Sequence, residues 1–168
     1  MLIKDSYADL STATGTMRTY VYQPVDASAT RTYPAIILYS EIFQQTGPIR
    51  RSAQIMAGHG FIVLVPEVFH ELNPIGTVLA YDDAGRDKGN ADKVGKTLEA
   101  HDTDVAAMIE YLDQLEQCSG KIGAMGFCLG GGLAYRAALH PRVLATSCFY
   151  ATDIHSGLTP SNTGNESL

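Results

Sequence analysis

The sequence predicts an α/β fold, a mostly parallel sheet with helices on both faces. Three observations carry that reading. Residues 34–40 and 61–65 are almost continuous apolar runs without alternation, the composition of strands buried on both faces. Segments with apolar residues at helical spacing separate such runs, so strands alternate with helices and the sheet is mostly parallel. A glycine-rich bend, Gly126-Phe127-Cys128-Leu129-Gly130-Gly131, joins the apolar run 121–125 to a small-residue stretch over 133–139, which reads as strand, sharp turn, helix.

The elements follow in order. Residues 16–23 alternate β-branched and aromatic side chains and predict an edge strand ending at Pro24. Residues 26–32 are a polar turn, and 34–40 the first buried strand. Gly47-Pro48 opens a helix, proline suiting its first turn. Ile49, Ala53, Met56 and Ala57 give that helix its apolar face, and Gly58 or Gly60 ends it. The buried strand 61–65 stops at Pro66. Residues 68–90 have no clear period and contain Gly76, Gly85 and Gly89; they predict an excursion with short helical pieces, a feature that is often functional. Residues 91–117 predict one long helix, with Val94, Leu98, Val105, Met108, Ile109, Leu112 and Leu115 at helical spacing and Ser119-Gly120 as its stop signal. A strand over 121–127, a helix ending near His140-Pro141 and a strand over 143–150 complete the pattern. The chain reads as a single domain over 1–155, with a loop-like or disordered tail over 156–168 rich in Gly, Ser, Thr and Asn.

The bulk numbers narrow the function. A chain of 168 residues with 45% hydrophobic and 18% charged residues is an ordinary globular protein able to bury a core. A net charge of -6 argues against a nucleic-acid partner, which wants basic patches. No run approaches membrane-spanning length and no apolar leader opens the chain, so no membrane partner is expected. Three cysteines do not make a disulfide framework; reduced thiols in the cytoplasm are the simplest reading.

The bend at Cys128 matches the nucleophile-elbow pattern G-x-S-x-G with a thiol in place of the hydroxyl. Gly126 and Gly130 supply the small neighbours such a bend requires, and Cys128 falls at a helix N-terminus, where the helix dipole lowers a thiol pKa. Two alternatives stand beside it. Glycines between strand and helix also mark dinucleotide-binding turns, but those come early and are spaced G-x-G-x-x-G. Free cysteine is also often a small buried hydrophobe, and that is the reading for Cys118 and Cys148. Sites in parallel sheets lie at the carboxyl ends of strands, so Glu41, Glu67, Cys128 and Asp153 should share one rim.

Ser40-Glu41-Ile42-Phe43, the segment 58–66, Asp102-Thr103-Asp104-Val105 and Gly126 to Gly131, in this order, resemble the dienelactone hydrolase family of α/β-hydrolases over nearly the whole chain. The resemblance implies an α/β-hydrolase-like fold and hydrolysis of a small ester or lactone, of the carboxymethylenebutenolidase type. Cys128 would be the nucleophile, forming an acyl-thioester. The backbone N–H groups of Ile42 and Leu129 would form the oxyanion hole. Glu41 would match the buried glutamate that hydrogen-bonds the resting thiol and takes its proton, and Arg86 the arginine that binds a substrate carboxylate. Plainer readings exist: Glu41 as partner of an arginine or as a helix cap, Arg86 as a solvated charge beside Asp82, Asp83 and Asp87. A cysteine elbow also serves glutamine amidotransferases, against which the Glu41-Ile42-Phe43 segment weighs.

A thiol nucleophile of this type needs a histidine and an orienting acid, which follow the nucleophile in α/β-hydrolases. None of the first four histidines is well placed: His59 lies at a helix-to-strand turn, His70 in the loop after a strand, His101 inside the amphipathic helix and His140 before a proline at a helix end; Asp153 and His155, the downstream pair, are crowded into one short loop and read as pocket lining or loop polarity. The resemblance places the missing acid and base beyond Leu168. The chain therefore reads as the C-terminally truncated N-terminal portion of such a domain, weakly active or inactive alone, with an open sheet edge prone to association. A non-catalytic interaction fragment of the same fold is the alternative. No H-E-x-x-H spacing occurs, so neither metal nor other cofactor is expected.

Overall fold

The computed structural model describes residues 1–25 and 30–154. Part of the polar turn expected over 26–32, His155 and the tail expected over 156–168 lie outside the described residues. The chain builds a six-stranded sheet in the order β1-β2-β4-β3-β5-β6. Its parallel half consists of β3 (Tyr33–Tyr39), β4 (Ile62–Pro66), β5 (Cys118–Phe127) and β6 (Val143–Phe149). β3 pairs with β4 and with β5, and β5 with β6, all parallel. The carboxyl ends of these four strands therefore lie on one rim.

The buried strands are where continuous apolar runs predict them, and every residue of β4 is buried. Helices cover both faces. On one side, α3 (Leu98–Asp113) and α4 (Leu129–Ala137) contribute Val105, Met108, Leu112, Leu133, Ala134 and Ala137 to a core with Ile37, Leu64 and Ile122. On the other, α1 (Gly47–Gly58) packs Ile49, Ala53 and Ala57 on Tyr22, Leu38, Val63 and Val65.

The structure corrects three expectations. The strand expected at the edge over 16–23 is β2 (Gly15–Pro24), and it is interior. The true edge is β1 (Ile3–Thr12), antiparallel to β2 along its whole length. β1 escapes an apolar-pattern reading because one edge strand needs to bury little; Lys4, Asp5 and Asp9 keep it in water. The single helix expected over 91–117 is two: α2 (Asp83–Gly95) and α3. Thr97 breaks it, taking extended backbone and accepting the Ala100 N–H as the N-cap of α3, while Val94 is left exposed. Finally, Ser119-Gly120 do not stop a helix. α3 ends at Asp113 and both residues lie inside β5, Gly120 at a positive φ of 75°.

Behind the rim sits a buried polar cluster. Lys96 Nζ lies 2.6 Å from Asp104 Oδ2 and 2.8 Å from Glu71 Oε1, and His70 Nε2 lies 3.1 Å from Asp104 Oδ1. Thr14, at the tip of the β1–β2 hairpin, donates to Glu71 at 2.9 Å. Ligand-type atoms of His70, Glu71 and Asp104 cluster within 4.8 Å, but the Lys96 ammonium already supplies the cation they share. Burial, aided by the Lys96 charge, depresses the neighbouring His101 to about 3.

Two predictions follow from these elements. The folded His101 is neutral where the unfolded one, with an ordinary value of 6.5, binds a proton. Its contribution to stability is thus complete above that value and is lost as pH falls toward 3, at up to about 1.4 kcal/mol per pH unit. Urea unfolding at pH 7 and pH 5 should give a loss that is smaller by about 2 kcal/mol in His101→Gln; an unchanged loss would place the titrating group elsewhere. The second prediction concerns β6. Six of its seven residues are exposed, Leu144 at 67%, and none of the seven is charged. Leu144→Lys should reduce concentration-dependent light scattering of the 168-residue chain; equal scattering would exonerate this edge.

Candidate active site

At the end of β5 the chain turns sharply into α4. Cys128 occupies the bend with φ 56° and ψ -121°, a conformation disfavoured for a non-glycine residue and held by its surroundings. The Cys128 N–H donates to Phe149 O at 3.0 Å. Its carbonyl accepts from Gly131 N–H at 3.0 Å and from Thr152 N–H at 3.2 Å. The bend is pressed against β3: a Cβ on Gly130 would sit 2.4 Å from the carbonyl oxygens of both Tyr39 and Ser40. That close approach is possible only for glycine, and it sets the start of α4 beside the residues that follow β3.

Those residues are Glu41 and Ile42. Glu41 is half-buried and is held by two phenols. Tyr81 OH donates to Oε2 at 2.9 Å and Tyr150 OH to Oε1 at 3.2 Å. Tyr81 is itself fixed by Thr46 Oγ1 at 2.9 Å and by the Phe43 ring, whose centroid lies 4.5 Å away. Among the described residues Glu41 makes no hydrogen bond to the thiol; the tyrosines take that place. Ile42 is buried, and among the described residues its N–H has no backbone partner. α2 roofs this turn closely, since a Cβ on Gly89 would fall 2.8 Å from Ile42 O. Asp82 caps that helix, accepting Gly85 N–H at 2.8 Å.

The Cys128 thiol is half-buried and free. Burial pushes its pKa up; the Leu129 N–H pulls it down; the Glu41 and Asp153 charges raise it and Lys93 lowers it. The net direction is upward, contrary to the lowering expected from the helix dipole alone: desolvation and two carboxylates outweigh the helix terminus.

The structure thus brings together Cys128, Glu41, Ile42 and Leu129. Arg86 stands apart, exposed in the first turn of α2, with Nη1 2.9 Å from Asp83 and Nη2 2.9 Å from Asp87. Glu67 is on the rim but accepts Tyr20 OH at 2.8 Å and Gly76 N–H at 2.9 Å, which pins the long excursion to β2. Sequence reasoning missed Tyr81, Tyr150 and Lys93. The first lies in the aperiodic excursion and the second just beyond β6; Lys93 is hidden inside a helix drawn too long. None carried a local signal, because each acts through a partner far away in the chain.

A mixed, mostly parallel sheet with helices on both faces, crossed at the carboxyl end of β5 by a strained cysteine bend, defines the α/β-hydrolase class of fold. The sequence model of the dienelactone hydrolase family matches residues 17–166, and the chain belongs to that family. It is 46% identical over 160 residues to "Putative carboxymethylenebutenolidase" of Saccharomyces cerevisiae, covering 93% of this chain and 58% of that protein. It is 28% identical over 137 residues to carboxymethylenebutenolidase 1 of Cupriavidus pinatubonensis, covering 82% of this chain and 57% of that one. A dienelactone hydrolase-like promiscuous phosphotriesterase from metagenomic libraries shares the fold with a TM-score of 0.74 at 18% identity, over 98% of this chain and 64% of its own. The chain thus spans a little over half the length of these curated relatives. Among the described residues, no helix is long and apolar enough to cross a membrane.

The close packing at the bend can be tested directly. Gly130→Ala would force a Cβ into two backbone carbonyls and should cost about 3 kcal/mol or more in urea unfolding. A loss below about 1 kcal/mol would mean that α4 and β3 separate easily.

Proposed function

We propose that this chain carries the nucleophile half of a hydrolase of small esters or lactones. The supporting observation is the Cys128 bend, with the Leu129 N–H at the thiol and the Glu41 carboxylate among the charges that act on it. Because the thiol pKa is raised, the thiol is protonated near neutral pH and attack needs a base. Glu41 takes the proton. The sulfur then bonds to the carbonyl carbon, and the C=O electron pair moves to oxygen, where the N–H groups of Leu129 and Ile42 receive it. Each such donor is worth about 3 kcal/mol of barrier. Collapse breaks the C–O bond, the alcohol or enol oxygen takes the proton that Glu41 removed from the thiol, and an acyl-thioester is left, which water cleaves to the acid and the free thiol. Arg86 remains the candidate for a substrate carboxylate, which would have to compete with Asp83 and Asp87 for its guanidinium.

Hydrolysis of the thioester calls for an acid–base pair. His70 and His101 are held in the buried cluster, His59 closes α1, and His140 Nδ1 accepts the Arg142 N–H at 3.2 Å. With these four described histidines placed elsewhere, this chain should acylate faster than it turns over. The uncharged, exposed strand β6 favours a second reading, an interaction fragment that acts by pairing this edge.

Incubation with an activated aryl ester, followed by peptide mass spectrometry, separates the two. The expected result is an acyl adduct on Cys128, absent in Cys128→Ala and formed roughly a hundredfold more slowly in Glu41→Gln at neutral pH. No adduct on a folded chain would overturn the hydrolase reading.

A further inference from the structure

A cation from α2, Lys93, opposes the two carboxylates that act on the Cys128 thiol. Lys93 Nζ lies 2.8 Å from Asp153 Oδ2, and the side chains are only 18% and 12% exposed. The partners are 60 residues apart in sequence, so the pair ties α2 to the segment after β6. Both ends of that tie are fixed at the bend. Thr152, next to Asp153, donates its N–H to the Cys128 carbonyl at 3.2 Å. Ala151 is pressed on the first turn of α4, where a Cβ on Gly131 would lie 2.8 Å from the Ala151 Cβ. α2 in turn is seated on the Ile42 carbonyl through Gly89. Asp153 itself sits at φ 65°, a conformation that this packing maintains.

Among the described residues, the groups that bear on the charge of the thiol are Glu41 after β3, Asp153 and the Tyr150 phenol after β6, Lys93 from α2 and the Leu129 N–H of α4. Two of these are carboxylates, which oppose a second negative charge. A thiolate is favoured by a cation at short range in a half-buried setting, where screening by water is weak. Arg86 spends its charge on Asp83 and Asp87. We propose that Lys93, anchored by Asp153 beside the bend, is the positioning cation that stabilises the Cys128 thiolate. Asp153 does two things: it holds the ammonium in place, and it tempers its effect. This proposal rests on Cys128 being the nucleophile but not on which ester it attacks.

The test is the pH dependence of iodoacetamide alkylation of Cys128 in the full chain, followed on its own peptide so that Cys118 and Cys148 do not contribute. Lys93→Met should move the alkylation midpoint up by about one pH unit. Asp153→Asn should move it down, and Lys93→Arg should restore the wild-type midpoint. Opposite shifts distinguish a charge effect from mere loosening, which would move both variants the same way. Equal midpoints, or shifts of one sign, overturn the proposal. If Lys93→Met fails to fold by circular dichroism, Lys93→Gln takes its place: an upward shift supports the proposal, and a downward or absent one overturns it. Alkylation needs no ester, so the two readings fail separately: shifts without an acyl adduct would overturn the hydrolase reading while the charge effect of Lys93 on the thiol stands.

Discussion

The parallel pairing of β3 with β5 is the constraint on which the site depends. Tyr39 pairs with Gly126, and Glu41 and Cys128 each lie two residues further along. Carboxylate and thiol are therefore delivered to the same level of the rim by the register of one strand pair. A slip of one residue would turn the β5 side chains to the other face and separate the two groups. Gly130 locks that register from above, because its approach to the Tyr39 and Ser40 carbonyls leaves no room for a side chain between α4 and β3. The strain at Cys128, on the order of 1–3 kcal/mol, is sustained by this over-determined packing and by the bonds from Phe149, Gly131 and Thr152.

Around that fixed pair the excursion between β4 and α3 supplies the surroundings. Glu67 anchors its start to β2 and Gly76, Tyr81 reaches Glu41, and α2 covers Ile42 and carries Lys93. Aperiodic sequence suits this task. A segment that must present one phenol, one close-packed glycine and one ammonium at separate points cannot also keep an apolar period. The buried cluster of Lys96, Asp104, Glu71 and His70 then ties the base of the excursion to α3 and to the β1–β2 hairpin. The result is a roof attached at several places to the sheet it covers.

What the sequence made legible tracks how local each signal is. β3 and β4 announce themselves because strands buried on both faces need apolar residues at every position. The bend at Cys128 is legible because its steric demand falls on immediate neighbours, Gly126 and Gly130. β1 is not legible, since an edge strand exposing Lys4, Asp5 and Asp9 needs no pattern beyond compatibility with β2. The break between α2 and α3 is obscured because apolar spacing on both sides of Thr97 happens to stay in phase, though Val94 faces solvent. Of the site, the residues that act through their own backbone position were readable. Tyr81, Tyr150 and Lys93 were not, because each acquires its role from a partner 40 to 109 residues distant.

The electrostatics around Cys128 keep its sulfur quiet at rest. A helix N-terminus alone would favour the thiolate. Here burial and the carboxylates of Glu41 and Asp153 outweigh it, so the resting group is the thiol. Such a group resists adventitious oxidation and alkylation, which proceed through the thiolate. On the proposed reading, attack requires a base to take the proton, a role assigned to Glu41, the carboxylate that the β3–β5 register delivers to the level of the thiol. Its two phenol bonds hold the carboxylate in place while offering only weak neutral donors. A substrate reaching the thiol then meets a carboxylate already oriented by Tyr81 and Tyr150, with the Lys93–Asp153 pair held beside the bend.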